Sequence, residues 1–449
     1  MKPNVLFITI DSLRADRIFD EKKSSVTPNL DKLMNNGVCF TQTFSSSDVT
    51  GPTLGSLFTS LFPFKTGITL FTENTKVPTF FKIINDGGYN VYTLFPDSSF
   101  FFNITSNLIE NDPYVYSKRE SWIQLFGGLG KRIVDKLENK LSEPWLYYIH
   151  LMDLHAPFYL PPEFDSKKYG ATPQDRMISA VDFWIGKFLE KIDLTKTLVV
   201  ISSDHGDYIP VTSNWNEQPK GNPILKKGKQ LFPKLEPLGI KILFAYQNYK
   251  AKKRINAMKN KLTERELIAL DGRAGKHLFD ETIRIPLIFS GYGITSPKKI
   301  TQMVRQVDIF PTIADFLKIP FNNPVDGKSL LPRFSNNEID EIPAYIETGA
   351  RQIKNFENPK ILGKVIGIRT SKYKYWRSRD DSSKDVTLFD LKNDPLEENN
   401  IASENPSLVK QMEKILEEMK KDSIEIKQKK FSKDEEKIIE DELKKLGYL

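Results

Sequence analysis

Residues 4–12 read NVLFITIDS, and this stretch sets the expectation for the fold. From Asn4 to Ile10 the chain carries no charge and is mostly apolar or β-branched, as in a strand buried on both faces of a sheet. Asp11 follows at once. A carboxylate directly after a buried strand either caps a helix or belongs to a ligand site at the strand end, and the residue alone leaves both interpretations open.

Similar apolar runs alternate with amphipathic stretches along the chain, which is the α/β signature. The predicted buried strands are 4–10, 144–151, 196–203 and 283–291, the predicted helices are 27–37 and 172–192, and 77–95 and 304–319 each combine a helix with a strand. Past about residue 335, 366–378 and 386–394 alternate like antiparallel strands before a Lys/Glu-rich, helically spaced tail. We therefore predict a main domain over 1–335 and a smaller α+β subdomain over 336–449.

Composition excludes several classes of protein. The chain has 449 residues, 39% of them hydrophobic, which supports one large domain or one domain with a smaller partner. The single cysteine, Cys39, excludes an internal disulfide framework and a cysteine-rich zinc site. The first apolar run is too short for a signal sequence and no segment approaches a membrane span, so we expect a cytoplasmic protein without a transmembrane segment.

Positive charge is concentrated in one part of the chain. The formal net charge is +7, but residues 219–276 alone hold fifteen Lys and Arg against four Asp and Glu. All of these except Lys276 lie in a predicted insertion over about 207–274, between two core strands. A polyanionic acceptor or peripheral contact with a membrane surface would suit this segment, although solvated helices would have the same composition. We expect no nucleic-acid partner.

All four histidines lie at or next to the ends of predicted strands, where ligands gather in an open α/β sheet. They are His150, His155, His205 and His277. Asp204 and His205 directly follow the buried run VVISS. Together with Asp11 they provide two carboxylates and an imidazole, a set that suits a hard-to-borderline divalent metal.

Three further segments could contribute chemistry. His150 and His155 leave one strand five residues apart, as metal ligands, proton donors to an anionic ester, or ordinary loop histidines. Lys276 precedes His277 and would neutralise developing charge, unless it is a surface lysine. Thr50, in VTGPTLGSLFTS (49–60), stands where a helix N-cap would lie. Its hydroxyl becomes a nucleophile only where a metal or a base lowers its pKa.

In this order the segments resemble the sulfatase family, within the alkaline phosphatase superfamily, over nearly the whole chain. NVLFITIDSLRADR resembles its metal-binding first strand and TGPTLGSLFTSLFP its nucleophile loop and helix. HLMDLHAPFYLPP resembles the segment with active-site histidines, VVISSDHGD the second metal strand, and GKHLFDETIRIPLIFSG the catalytic lysine segment.

The resemblance implies an α/β fold with a mixed, mostly parallel central sheet between helix layers, and a small C-terminal α+β subdomain after the catalytic domain. It implies one divalent metal ion or two, with Zn, Mn, Mg and Ca all open. The implied metal ligands are Asp11, Asp204 and His205, with Thr50 as the nucleophile bridging to the metal. The residues implied to bind the transferred group or protonate the leaving group are Lys276, His150, His155 and His277.

Several positions depart from the family pattern. In sulfatases the position of Thr50 holds Cys or Ser, and that residue is oxidised to formylglycine. A threonine does not fit this maturation pattern. Leu54 replaces an arginine, Ser12 replaces a common second aspartate, and His205 stands where sulfatases often have Asn. A Thr nucleophile with an Asp–His metal pair is similar instead to the phosphoethanolamine and phosphoglycerol transferases and the phosphonate or phosphodiester hydrolases.

We therefore expect a metal-dependent hydrolase of phosphoric or sulfuric esters, with phosphoric monoesters, diesters or phosphonates favoured, that forms a covalent intermediate on Thr50. The expected substrate is an anionic ester, with carbohydrate-linked and lipid-linked esters both open. Two alternatives remain. One is a transferase that moves a phospho-substituent onto a glycan or lipid acceptor, and the other is a non-catalytic binding protein with the same fold.

Overall fold

In this computed structural model the first apolar run forms a strand at the middle of a large sheet, and all seven of its residues are buried. The structure describes residues 2–21, 23–68, 78–97, 110–114, 124–155, 158–207, 263–269, 275–335, 340–349, 363–421 and 423. Most of the predicted basic insertion, 208–262 and 270–274, and the tail 424–449 lie outside these ranges.

The large sheet is mixed and mostly parallel, as predicted. Its strands are β1 (Asn4–Ile10), β2 (Val38–Phe44), β3 (Asn90–Leu94), β4 (Glu110–Asn111), β5 (Trp145–Leu151), β6 (Thr197–Ser202), β7 (Arg284–Gly291), β8 (Lys298–Ile300) and β9 (Val304–Arg305). They follow the order β4-β3-β5-β1-β6-β7-β2-β8, and β9 pairs with β2. Strand β7 runs antiparallel to both of its neighbours, β6 and β2, whereas the other pairs are parallel.

The helices of the described residues lie mainly between these strands. They are α1 (Asp16–Phe19), α2 (Pro28–Asn35), α3 (Thr50–Thr59), α4 (Pro63–Thr66), α5 (Phe80–Asp86), α6 (Gly130–Asn139), α7 (Pro173–Leu189), α8 (Glu264–Ala269), α9 (Asp280–Ile283), α10 (Ile309–Phe316), α11 (Leu331–Phe334) and α12 (Pro406–Met419). Local sequence explains their ends. Helix α7 begins with a capping box in which the Thr172 hydroxyl accepts from Asp175 N at 3.1 Å, and Gly88, at φ +82°, permits the turn after α5.

Helices cover both faces of the large sheet, which is why its strands show no polar alternation. Leu6 and Ile8 of β1 belong to one apolar core, which also contains side chains of α2, α6 and α7. Val5 and Phe7 point to the other face, where α3, α5 and α10 contribute to a second core. This arrangement confirms the predicted helix layers.

The C-terminal region forms a separate antiparallel sheet, as predicted. Its strands are β10 (Ala344–Glu347), β11 (Val365–Arg369), β12 (Tyr373–Ser378) and β13 (Thr387–Asp390), paired in that order. Met412 and Leu416 of α12 pack into the same core as Tyr375 and Leu388 of this sheet. The boundary near residue 335 stays a prediction. None of the helices in the described part of the chain has the length and apolar character that a membrane span requires.

Substitution of Phe58, in α3, would test how much the packing of the second core stabilises the fold. Its ring lies 4.8 Å from that of Phe81 and 5.2 Å from that of Tyr148, between centroids. We expect Phe58→Ala to lower the free energy of unfolding by about 3–5 kcal/mol, because a large cavity replaces these contacts. Urea unfolding would measure this change in the free energy of unfolding. The matched control is Phe183→Ala on α7, where the ring is 43% exposed; equal losses for both variants would contradict this account of the core.

Candidate active site

Strands β1, β5 and β6 end at one edge of the large sheet. Thr9 lies beside His150 on β5 and beside Ser202 on β6. Asp11 and Asp204 therefore follow neighbouring strands and meet just beyond this edge. Asp11, Asp204 and His205 are all buried, and their candidate ligand atoms lie within 4.8 Å of one another.

Thr50 lies against this group. It is the first residue of α3, and the N-cap position belongs to Val49. The Thr50 hydroxyl makes no capping bond; it donates to Asp11 Oδ2 at 3.2 Å, and its oxygen lies 3.3 Å from His205 Nε2. The interpretation of Thr50 as a helix cap is therefore wrong.

The hydrogen bonds of His205 define its tautomer. Its Nδ1 lies 2.6 Å from the carbonyl oxygen of Gly206, which can only accept, so Nδ1 carries the proton. In the neutral ring Nε2 then presents a lone pair, and it faces Asp204 Oδ2 at 3.3 Å as well as Thr50. Metal-binding histidines typically have this arrangement, with one nitrogen donating to a carbonyl oxygen and the other coordinating the ion.

The two carboxylates are only partly satisfied by hydrogen bonds. Asp204 Oδ1 accepts from Ser12 N at 3.1 Å and from His205 N at 2.8 Å, but Asp204 Oδ2 has no hydrogen-bond donor among the described residues. Ser12 also donates its hydroxyl to Asp11 Oδ1 at 2.6 Å. Two buried carboxylates with an unsatisfied oxygen are costly without a nearby positive charge. These residues therefore fit a divalent cation, held by Asp11, Asp204 and His205.

Ser12 adopts a left-handed backbone conformation, with φ at 61°. This conformation is energetically unfavourable for a serine, and such backbone strain is concentrated at functional sites. Here its backbone N–H and its hydroxyl each reach a different carboxylate. The residue that replaces the family's second aspartate thus orients the remaining two.

Two further residues hydrogen-bond to the groups of this site, and little in the sequence indicated either of them. Gln306 donates through Nε2 to the carbonyl oxygens of Ser203 at 3.1 Å and Asp204 at 2.8 Å. Thr9 Oγ1 lies 2.9 Å from His150 Nδ1. A polar residue inside an otherwise apolar strand could have pointed to Thr9, but Gln306 is about a hundred residues away along the chain.

The other predicted site residues lie at different places. His150 is buried with Nε2 3.9 Å from Asp11 Oδ2, and burial lowers its pKa. His155 is buried after β5, and His277 is buried with its ring 4.9 Å from that of Phe279. Lys276 is 57% exposed, and its ammonium nitrogen lies 3.0 Å from Asp385 Oδ1, between β12 and β13. The structure thus brings His150 within 3.9 Å of a candidate metal ligand, and the roles of His150, His155, His277 and Lys276 all stay predictions.

Comparison with known proteins shows the family of the chain. The Sulfatase family model matches residues 3–319. The chain belongs to the sulfatase family. A second model, for the C-terminal part of N-sulphoglucosamine sulphohydrolase, matches residues 273–428. The predicted family is therefore confirmed.

Curated sulfatases match over part of their length. Arylsulfatase K of Gallus gallus is 30% identical over 138 residues, which is 31% of this chain and 26% of that enzyme. Arylsulfatase K of Homo sapiens is 30% identical over 146 residues, 30% of this chain and 26% of the relative. The matched part of the chain thus spans about a quarter of the length of these relatives.

Two solved structures share the fold over nearly the whole chain. Ps i-CgsB in complex with k-i-k-neocarrahexaose has a TM-score of 0.64 at 18% identity and covers 97% of this chain and 96% of its own. The phosphonate monoester hydrolase of Agrobacterium radiobacter has a TM-score of 0.64 at 17% identity. It covers 93% of this chain and 95% of its own. At these identities the likeness shows the fold alone, and it confirms the predicted architecture.

The prediction of a cytoplasmic protein is wrong. The finding that overturns it is the match to the Arylsulfatase K relatives. The prediction rested on the shortness of one apolar run, and that run is a core strand of the sheet. The composition of a folded domain does not identify its compartment.

The metal site can be tested directly. We expect Asp204→Asn to weaken binding of Zn²⁺ or Mn²⁺ about 100-fold or more, because it removes a charged ligand from a buried site. Competitive metal titration of the purified protein would measure the affinity. Asp193→Asn is the matched control, since Asp193 is a surface residue paired with Lys196. Equal affinities in the two variants would contradict the assignment.

Asp153, between His150 and His155, makes stability depend on pH. It is buried, accepts from Leu125 N at 3.1 Å, and burial raises its pKa to about 7. The folded state then holds a proton that the unfolded state releases between about pH 4 and pH 7, so stability falls as pH rises through this window. We expect Asp153→Asn to gain stability over the wild type between pH 5 and pH 8, by about 4 kcal/mol or less.

Urea unfolding at several pH values would measure this difference, with Asp86→Asn at the surface as the control. A difference between Asp153→Asn and the wild type that is constant with pH would contradict the shifted pKa.

Proposed function

We propose that the chain is a metal-dependent ester hydrolase in which Thr50 is the nucleophile, and that it prefers phosphoric to sulfuric esters. The observation that carries this proposal is the position of the Thr50 hydroxyl, 3.2 Å from Asp11 Oδ2 and 3.3 Å from His205 Nε2. An alcohol needs such neighbours before it can lose its proton and attack.

The chemistry of threonine supports the preference for phosphorus. Oxidation of a primary alcohol or thiol side chain gives the aldehyde of formylglycine, but oxidation of the secondary alcohol of Thr50 would give a ketone. Thr50 must therefore act as an alcohol, and its ester must be cleaved by water at the transferred group. The phosphonate monoester hydrolase with the same fold supports the view that this architecture accommodates phosphorus substrates.

When bound at Asp11, Asp204 and His205, a divalent cation supplies Lewis acidity beside the Thr50 hydroxyl. The hydroxyl proton leaves along its hydrogen bond to Asp11 Oδ2. Thr50 Oγ1 forms a bond to phosphorus as the bond between phosphorus and the leaving alcohol oxygen breaks. Water then attacks phosphorus in the Thr50 ester and passes a proton to the histidine that protonated the leaving alcohol. The Thr50 oxygen regains its proton from Asp11 as its bond to phosphorus breaks.

Proton donation to the leaving group is assigned to the buried histidines. His150 is the one placed beside the metal ligands, and His155 and His277 remain the alternatives. Lys276 pairs with Asp385 in this structure. Its predicted role in stabilising charge on the transferred group would require that ion pair to open.

We further propose Zn²⁺ or Mn²⁺ as the metal, in preference to Ca²⁺. Calcium prefers six to eight oxygen ligands, whereas imidazole nitrogen suits transition metals. The His205 ring, whose Nδ1 donates to Gly206 O, would supply that nitrogen through Nε2. A second ion stays a prediction.

The alternatives are less well supported. Transfer to a glycan or lipid acceptor, and contact with a membrane surface, both depend on the basic insertion, most of which lies outside the described residues. A purely binding role would leave the alignment of Thr50 with three candidate metal ligands without a purpose.

The nucleophile can be tested by substitution. We expect Thr50→Ala to abolish ester turnover, a loss of about 10⁴-fold or more, because the covalent step has no acceptor. Thr50→Ser should retain measurable activity, since it keeps the hydroxyl. Thr59→Ala at the other end of α3 is the control, because the Thr59 hydroxyl donates to Gly55 O at 2.7 Å within the helix. Unchanged turnover in Thr50→Ala would contradict the proposal.

The substrate preference needs a metal-supplemented panel. Nitrophenyl phosphate, a phosphodiester, a phosphonate and a nitrophenyl sulfate would be compared at equal enzyme with Zn²⁺, Mn²⁺, Mg²⁺ and Ca²⁺. We expect the phosphorus esters to be turned over fastest, with Zn²⁺ or Mn²⁺. Dominant sulfate turnover would overturn the preference for phosphorus, and dominant activity with Ca²⁺ would overturn the metal assignment.

A further inference from the structure

Two buried charged side chains of the C-terminal region hold the backbone that follows His277. Lys374 of β12 is fully buried, and its ammonium group donates to the carbonyl oxygen of Leu278 at 2.9 Å. It also contacts the carboxylates of Asp280 and Glu397. Glu397 is buried too, and it accepts from Asp280 N at 2.9 Å. Three contacts thus attach residues 278–280 to Lys374 of the small sheet and to Glu397, which follows that sheet in the chain.

This cluster is unlike a surface ion pair. Asp280 also accepts from Arg369 Nη2 of β11 at 3.2 Å. Taking several charges out of water is costly, and well-packed apolar side chains would often stabilise the fold equally well. What such a cluster provides in addition is directional bonding, because Lys374 and Glu397 reach one carbonyl and one N–H of the same short segment.

We propose that Lys374 and Glu397 are positioning residues of the active site, which fix the backbone at 278–280 and thereby the place of the His277 ring. The small sheet would then help to position a residue of the catalytic centre. This proposal rests on the proposed function, because it assumes that His277 acts on the substrate.

The small sheet also contacts the segment before Thr50. Glu347, the last residue of β10, donates its N–H to Ser46 O at 3.0 Å, and Gly349 donates to Asp48 Oδ1 at 2.8 Å. A Cβ at Gly349 would lie 1.8 Å from a methyl carbon of Val49, so the two segments are packed as closely as glycine allows. The same subdomain therefore holds the backbone on the nucleophile side and on the His277 side.

Three variants test the positioning role. Lys374→Met removes the ammonium group, Glu397→Ala removes the acceptor for Asp280 N, and Glu397→Gln removes the charge but keeps an acceptor oxygen. The matched control is Lys384→Met, because Lys384 is 72% exposed in an ion pair with Asp381 of the same subdomain. Should Lys374→Met fail to fold, the two Glu397 variants carry the test.

Hydrogen exchange read by mass spectrometry gives the first measurement. We expect faster exchange confined to amides 278–283 in Lys374→Met and Glu397→Ala, and wild-type exchange in Lys384→Met and Glu397→Gln. Exchange at 278–283 that is unchanged in Lys374→Met and Glu397→Ala would overturn the proposal.

Kinetics give the second measurement, on the ester that the wild type cleaves fastest. We expect kcat/KM to fall about 10²-fold in Lys374→Met and Glu397→Ala, since displacement of a reacting group by about 1 Å has this effect. Glu397→Gln should recover most of it. Faster exchange without a fall in kcat/KM would show a structural role only and would overturn the proposal.

Failure of the proposed function would be recognised separately. If the wild type cleaves none of the esters, the proposed function fails, and binding of inorganic phosphate to the metal-loaded protein replaces kinetics. Lys374→Met should then bind phosphate about 10-fold more weakly than Lys384→Met, as expected when a charge-assisted contact to the anion is displaced. Equal phosphate affinities would overturn the positioning proposal.

Discussion

The site depends on two carboxylates, Asp11 and Asp204, held out of water at the ends of neighbouring parallel strands. Their mutual repulsion would be large in a buried environment, so the surrounding groups must offset it. The backbone N–H groups of Ser12 and His205 and the hydroxyl of Ser12 do so in part. The remaining negative charge is what makes the position suitable for a cation, and the Thr50 hydroxyl lies where such a cation would act on it.

Much of this arrangement could be predicted from the sequence, for a physical reason. Strands buried on both faces must be apolar throughout, so β1 and its neighbours were visible as uninterrupted runs. Parallel strands end at a common edge, so the polar residues after those runs had to meet there. The cluster of Asp11, Asp204 and His205 followed from these two constraints.

Other features had no local signal. A threonine at the first position of a helix has the same neighbours as one at the N-cap, so the bonding of Thr50 could not be decided from VTGPTLG. The apolar sequence that forms β7 does not indicate the direction of the strand in the sheet. Only its pairing with β2 and β6 shows that β7 is antiparallel to both. Lys276 was predicted from its place before that strand, whereas its contact with Asp385 bridges more than a hundred residues. Leu54, which replaces an arginine of the family pattern, is buried in the second core, so no cation enters the site from that position.

The central position of β1 affects how the chain must be made. The strand is synthesised well before both of its partners, β5 and β6, which lie 135 or more residues further along the chain. At about 5–20 residues per second, the second partner is complete only after roughly 10–40 s of synthesis. During that time an uncharged, β-prone heptapeptide has no strand to pair with, which is the composition that favours self-association. We therefore expect production of this protein to depend on translation speed and on chaperones that bind this strand in the nascent chain, whatever the stability of the finished fold.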